Sequence, residues 1–161
     1  MSTIKCQLWL PSGAIETTEL DSEFYILPNF RVWEIANNQA EEEVKLVIPS
    51  KWSWKLLQML QITRNHLGRI DVNSFYRTES FNASVGGDTR SCHLISEAVD
   101  ISRPNQTPKE RDAMIAWWSS LCDAFDEVGA IGLYSWGYHL EIGSDRRFGQ
   151  TAFAVRNYLN K

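Results

Sequence analysis

The chain has 161 residues, 43% of them hydrophobic and 22% charged, which suits one globular domain with its own core and excludes a disordered or fibrous sequence. A net charge of −4 excludes the electrostatic footprint of a nucleic-acid binder and offers little attraction to anionic lipid. Three cysteines (Cys6, Cys92 and Cys122) without CxxC spacing exclude a disulfide framework and a cysteine-based zinc knuckle, and they fit a reducing compartment.

The start, MSTIKCQLWLPSG, carries one lysine and no long apolar run, and no stretch approaches the length of a bilayer span. The expectation is a monomer, cytoplasmic as synthesised, with no membrane or nucleic-acid partner. Action outside the cytoplasm would need release by another factor.

Ile4 to Leu10 reads as a strand, Pro11-Ser12-Gly13 as a turn and Ala14 to Thr18 as a hairpin partner. Phe24 to Leu27 is a short apolar strand closed by Pro28. This part is either a small appended hairpin or an edge of the main sheet, and residues 1–28 are taken as an extension to a main domain over 29–161. Phe30 to Ile35 suggests a helical turn, and the acidic run Glu41-Glu42-Glu43 a solvated loop or face. After Pro49-Ser50, Trp54, Leu57, Leu60 and Leu67 recur at helical spacing, predicting a helix over Lys51 to Leu67 that Gly68 stops. His66, in its last turn, complements the negative end of the helix dipole and is left out of the site.

Arg69 to Ser74 alternates as a strand, with Ile70 and Val72 inward, and delivers Tyr76-Arg77 to its end. Glu79 to Val85 is a short helix stopped by Gly86-Gly87, a pair that suits a loop approaching a site. Thr107-Pro108-Lys109-Glu110 is a helix start with a capping box. Met114, Trp117, Trp118, Leu121, Cys122, Phe125 and Val128 continue that helix as core-facing residues, with Cys122 an inert core thiol, and Gly129 ends it. Ile131 to Tyr134 and Tyr138 to Ile142 are the next two strands, and Thr151 to Leu159 is expected as a closing helix.

Chemistry concentrates between Ser74 and Ile101. His93 is one of three histidines, and Asp100 lies in the apolar run Ala98-Val99-Asp100-Ile101. A carboxylate on a buried strand is costly unless a cation, a strong donor or a metal compensates it. An imidazole and a carboxylate are ligands that zinc takes in hydrolytic sites, and a plain buried His–Asp pair is the alternative. His139, in the alternating run Tyr138 to Ile142, is the better third ligand than His66.

The segments Ser74-Phe75-Tyr76-Arg77-Thr78 and Ser91-Cys92-His93 through Ala98-Val99-Asp100-Ile101 resemble the zinc D-Ala-D-Ala carboxypeptidases and their phage and bacterial peptidoglycan-endopeptidase relatives, which share a fold with the hedgehog signalling domain. Ser74, Tyr76, Arg77, Thr78, Asn82, Val85, Gly86, Gly87, Ser91, His93, Ala98, Asp100 and Ile101 fall at the places of that family's pattern. Gly129 to Tyr134 with His139-Leu140-Glu141 resembles its later glycine-rich and H-x-D segments, and the match extends over residues 29 to 145. The resemblance implies an α+β single domain, a small mainly antiparallel sheet packed with helices, and a metal site in a cleft on the sheet. It implies His93, Asp100 and His139 as zinc ligands with the fourth position left to water, and a substrate that is a peptidoglycan stem peptide or a D-amino-acid dipeptide. Arg77 matches an arginine that holds a substrate carbonyl or carboxylate and can stabilise an oxyanion; a structural ion pair with Glu79 or Asp88 is the alternative. Ser91 and Tyr76 would support the ligands from behind.

Two departures stand out. Ser96 replaces a family glycine, which is tolerable where the backbone is not left-handed. Trp136 occupies the place of the family's general-base carboxylate. Glu141, two residues beyond His139 and on the same strand face, can take the base role. It can instead orient the histidine, or have no functional role. The leading expectation is a zinc D,D-carboxypeptidase or L-Ala–D-Glu-type endopeptidase, a phage lysin among the settings. A non-catalytic member that keeps the metal comes next. Last comes a non-haem iron enzyme, since that metal uses the same ligand types.

Overall fold

Short alternating segments at the N-terminus pair before any helix is made. In the computed structural model, which describes residues 2–36, 44–143 and 153–160, β1 (Thr3–Trp9) and β2 (Ile15–Asp21) form the foreseen antiparallel hairpin. The hairpin is not an edge of the main sheet. β3 (Tyr25–Leu27) and β4 (Phe30–Arg31) make a ribbon that leads into α1 (Val32–Ile35), and β5 (Leu46–Ile48) then adds parallel to β1 to complete a separate three-stranded sheet. Cys6 of β1 and Leu46 and Ile48 of β5 lie in the same apolar cluster as the helices that follow. The acidic run 41–43 lies outside the described residues.

α2 (Lys51–Leu67) has the predicted bounds. Ser50 caps it, its hydroxyl accepting from the Ser53 amide at 3.3 Å, and Gly68 leaves it at φ +80°, where a β-carbon would be strained. α4 (Pro108–Ala124), the helix that starts at the Thr107 capping box, ends at Ala124 because the chain turns through Phe125 and Asp126 before the next strand begins at Gly129. Between them come β6 (Asp71–Ser74), α3 (Glu79–Ser84), a 3-10 turn at Cys92–Ile95 and β7 (Ala98–Ser102). After α4 follow β8 (Gly129–Tyr134), β9 (Gly137–Ile142) and β10 (Ala154–Asn157).

The five strands β10-β8-β9-β7-β6 form the main sheet, antiparallel throughout except that β10 runs parallel to β8. β10 corrects the expected closing helix. Ala154-Val155-Arg156-Asn157 alternates half-buried and exposed with period two, and it occupies the edge that β8 would otherwise leave unpaired. Residues 151–152 of that expectation lie outside the described residues.

Alternation gives the sheet two unlike faces. Val99, Ile101, Ile131, Leu133, Tyr138, Leu140 and Ile142 join Leu56, Leu57, Met59 and Leu60 of α2 and Met114, Trp118, Leu121 and Cys122 of α4 in one core. Each such side chain contributes about 1.5–3 kcal/mol when fully buried. The intervening residues, among them Asp100, His139 and Glu141, project from the other face, which the two long helices do not cover. Among the described residues no helix is long and apolar enough to cross a membrane.

Candidate metal centre

Register brings the chemistry together. Asp100 of β7 lies opposite His139 of β9, so the two side chains leave the sheet side by side. An extra residue in β6 between Val72 and Ser74 puts Ser74 opposite Asp100. The 3-10 turn then carries His93 over the same point, with the Arg77 amide bonded to the His93 carbonyl at 3.1 Å. Ser91 caps this turn, its hydroxyl accepting from the His93 amide at 3.3 Å.

The ring nitrogens have assigned duties. His93 Nδ1 donates to the Phe75 carbonyl at 2.7 Å, which leaves Nε2 facing inward. His139 Nε2 donates to Glu141 Oε2 at 3.0 Å, which turns Nδ1 toward Asp100 Oδ1, 2.7 Å away. His93 Nε2 lies 3.2 Å from His139 Nδ1 and 3.2 Å from Asp100 Oδ1. These atoms make a triangle with sides of 2.7, 3.2 and 3.2 Å. Zinc bonds nitrogen and carboxylate oxygen at about 2.0–2.2 Å, so one ion can touch all three corners. Two imidazoles and a carboxylate also suit a divalent cation chemically, and His93, Asp100 and His139 together are a group able to hold one.

The second oxygen of Asp100 is taken by Arg77, whose Nη2 donates to Oδ2 while its Nε donates to Ser74 Oγ at 2.9 Å. Neither Glu79 nor Asp88 is this partner, because the sheet register outweighs nearness in sequence. Burial alone would raise the Asp100 carboxyl, but the His93 charge and the His139 hydrogen bond hold it well below the usual carboxylate range. Burial lowers His93 from its ordinary value. His139 goes the other way: burial acts against its charge, and the hydrogen bonds to Asp100 and Glu141 outweigh it and raise it to about 9. Glu141 is raised by burial and lowered more by the His139 hydrogen bond, ending below the ordinary value.

Glu141 thus sits on the imidazole nitrogen turned away from the triangle, the arrangement of a carboxylate that orients a ligand histidine. Its Oε1 is 2.9 Å from Arg156 Nη1, an ion contact without hydrogen-bond geometry. Tyr76 packs half-buried against the apolar core and is not one of the residues that line the cleft. Ser96 has φ 56° and ψ 38°, so the left-handed conformation does occur there, and its hydroxyl donates to the Val47 carbonyl on β5.

A cleft of about 710 Å³ opens over the triangle, walled by Gly86, Gly87, Tyr134, Trp136, Arg156 and Tyr158 among others. Asn82 shapes one wall: its Nδ2 donates to the Asp88 carbonyl at 2.8 Å, and a β-carbon on Gly87 would come within 2.1 Å of its Oδ1. Elsewhere in the lining, the Tyr134 ring stacks with Trp136, at 4.7 Å, and with Tyr158, at 4.8 Å. The Phe75 carbonyl, Arg156 and the Tyr134–Tyr158 pair were not anticipated from the sequence. The run Ala154-Val155-Arg156-Asn157 does not alternate in polarity and offered no sign of Arg156.

Comparison with protein families agrees with this geometry. The profile of the peptidase M15 family matches residues 28–134, and the chain belongs to that family. M15 peptidases are metallopeptidases. Comparison with curated proteins and with solved structures finds no match. His139 and Glu141 lie beyond the matched segment, and it is β9 pairing with β7 that ties them to His93 and Asp100.

Proposed function

We propose that the protein is a zinc peptidase that hydrolyses peptidoglycan stem peptides, as a D,D-carboxypeptidase or an L-Ala–D-Glu-type endopeptidase, with phage lysis one setting for such an activity. The convergence of His93 Nε2, Asp100 Oδ1 and His139 Nδ1 at the floor of an open cleft, in a chain of the M15 family, carries this reading. Zinc, when bound, supplies Lewis acidity that polarises a carbonyl and makes water ionisable near neutral pH.

The chain's own residues do the rest. Phe75 and Glu141 fix which nitrogen of each histidine faces inward. Arg77 stands beside Asp100 at the cleft wall, where its remaining N–H groups are suited to a substrate carbonyl or carboxylate. Tyr134, Trp136 and Tyr158 give the cleft lining apolar ring surface beside the backbone of Gly86 and Gly87.

A non-catalytic, metal-keeping protein is the second reading. One observation favours it: Glu141, the carboxylate beside the histidine, is engaged by His139 and approached by Arg156. Incubating the zinc-loaded protein with purified muropeptides and following the products by mass spectrometry separates the two. Loss of a terminal D-alanine marks the carboxypeptidase, a cut after L-alanine marks the endopeptidase, and intact substrate at saturating zinc favours the second reading.

A further inference from the structure

The family match ends at residue 134, and the last described strand brings another side chain to the site. Register runs level across the sheet from Arg156 to Gly132, from Gly132 to His139 and from His139 to Asp100. Residues level with one another on neighbouring strands project from the same face. Arg156 therefore stands on the His139 face, with β8 between its own strand and β9.

Two strand spacings, roughly 9.5 Å, separate β10 from β9. The residues that β8 contributes to that gap are small: Gly132 level with Arg156, and Ala130 level with Glu141. Over them the two long side chains meet, Arg156 Nη1 lying 2.9 Å from Glu141 Oε1. The passage is narrow, since a β-carbon on Gly132 would lie 3.1 Å from both His139 Cβ and Tyr134 Cε2.

Glu141 is buried, and its Oε2 receives the His139 Nε2 proton. A carboxylate held at one oxygen by a single hydrogen bond can break it by turning about its last carbon–carbon bond. A cation at the other oxygen opposes that turn, and buried charges need such a partner. The guanidinium reaches the pair from an edge strand that makes no other contribution to the triangle.

We propose that Arg156 is a positioning residue: acting through Glu141, it holds the His139 ring so that Nδ1 points at Asp100 and His93. The proposal rests on the reading of His93, Asp100 and His139 as metal ligands. Two consequences distinguish it from general support of the sheet edge. Its effect passes entirely through Glu141, and it needs a cation at that place rather than the shape of arginine alone.

The test is zinc affinity, measured by competition with a chromophoric chelator, for wild type, Arg156→Gln, Arg156→Lys, Glu141→Gln and the Arg156→Gln/Glu141→Gln double variant, with thermal unfolding of each zinc-free protein alongside. Arg156→Gln is expected to bind zinc about 10-fold more weakly, as for other residues that orient metal ligands. Arg156→Lys should recover most of the loss, and Arg156→Gln should add nothing in the Glu141→Gln background. Wild-type affinity in Arg156→Gln overturns the proposal, as does full additivity with Glu141→Gln. A zinc-free Arg156→Gln protein that unfolds at lower temperature, with no recovery of affinity by lysine, overturns it in favour of a merely structural role. Wild-type protein that takes up no zinc overturns the metal reading itself, an outcome separate from the others.

Discussion

Ser96 is where backbone strain and a hydrogen bond oppose each other within the segment that carries His93. At φ 56° it ends the 3-10 turn, and its amide bonds back to the His93 carbonyl at 3.3 Å. A residue with a β-carbon is disfavoured in this conformation by roughly 1–2 kcal/mol, and glycine is not. In return the fully buried hydroxyl donates to the Val47 carbonyl, a net contribution of about 0.5–1.5 kcal/mol that ties the turn to the three-stranded sheet. Ser96→Ala keeps the strain and loses the bond, so it should destabilise by about 1 kcal/mol. Ser96→Gly loses the bond and relieves the strain, and should stay within about 1 kcal/mol of wild type. For a chain of this length 1 kcal/mol corresponds to about 2–4 °C in Tm. Urea and thermal unfolding followed by circular dichroism measure both variants. An alanine variant as stable as wild type, or one as stable as the glycine variant, would refute the balance described here.

Glu141→Gln should weaken zinc binding about 10–100-fold, as loss of an orienting carboxylate does; unchanged affinity with kcat reduced about 10²–10⁴-fold would instead mark a general base. The exposed Glu110 carboxyl is held below its ordinary value by hydrogen bonds from the Thr107 amide and hydroxyl. A depressed carboxyl stabilises the fold above its unfolded pKa and loses that contribution as pH falls through the folded one. Thermal scans should therefore place Glu110→Gln below wild type near pH 7, with the gap closing below about pH 4; a gap that persists in acid would count against the capping box. Burial raises the Cys122 thiol to about 12 and the Cys6 thiol to about 11. Thiol titration of the native protein near pH 8 should leave both unmodified until denaturant is added, whereas prompt labelling of either would contradict their place in the core.

How far the sequence carries depends on where the information sits. Caps and stop signals are local, so α2 was legible in full and α4 from its first residue. The candidate ligands were legible because each lies in a short patterned run and because the motif around His93 and Asp100 is long. Sheet register is not local, which is why the alternative ion pair for Arg77 falls on its sequence neighbours Glu79 and Asp88, whereas the carboxylate beside it is Asp100, across the sheet. Main-chain acceptors such as the Phe75 carbonyl leave no mark on residue identity. β5 has three residues and is recognisable only by its pairing with β1. In 153–159 the apolar residues Phe153, Val155 and Leu159 fit a helix as well as a strand, and the open edge of β8 decides between them.

Zinc stoichiometry bears most directly on the convergence of three side chains upon one ion. Calorimetric titration of metal-stripped wild type should give one zinc per chain, and replacing His93, Asp100 or His139 by alanine should abolish that binding while leaving the far-ultraviolet circular dichroism unchanged. Tight zinc uptake that survives loss of all three side chains, or none in the intact protein, would contradict it.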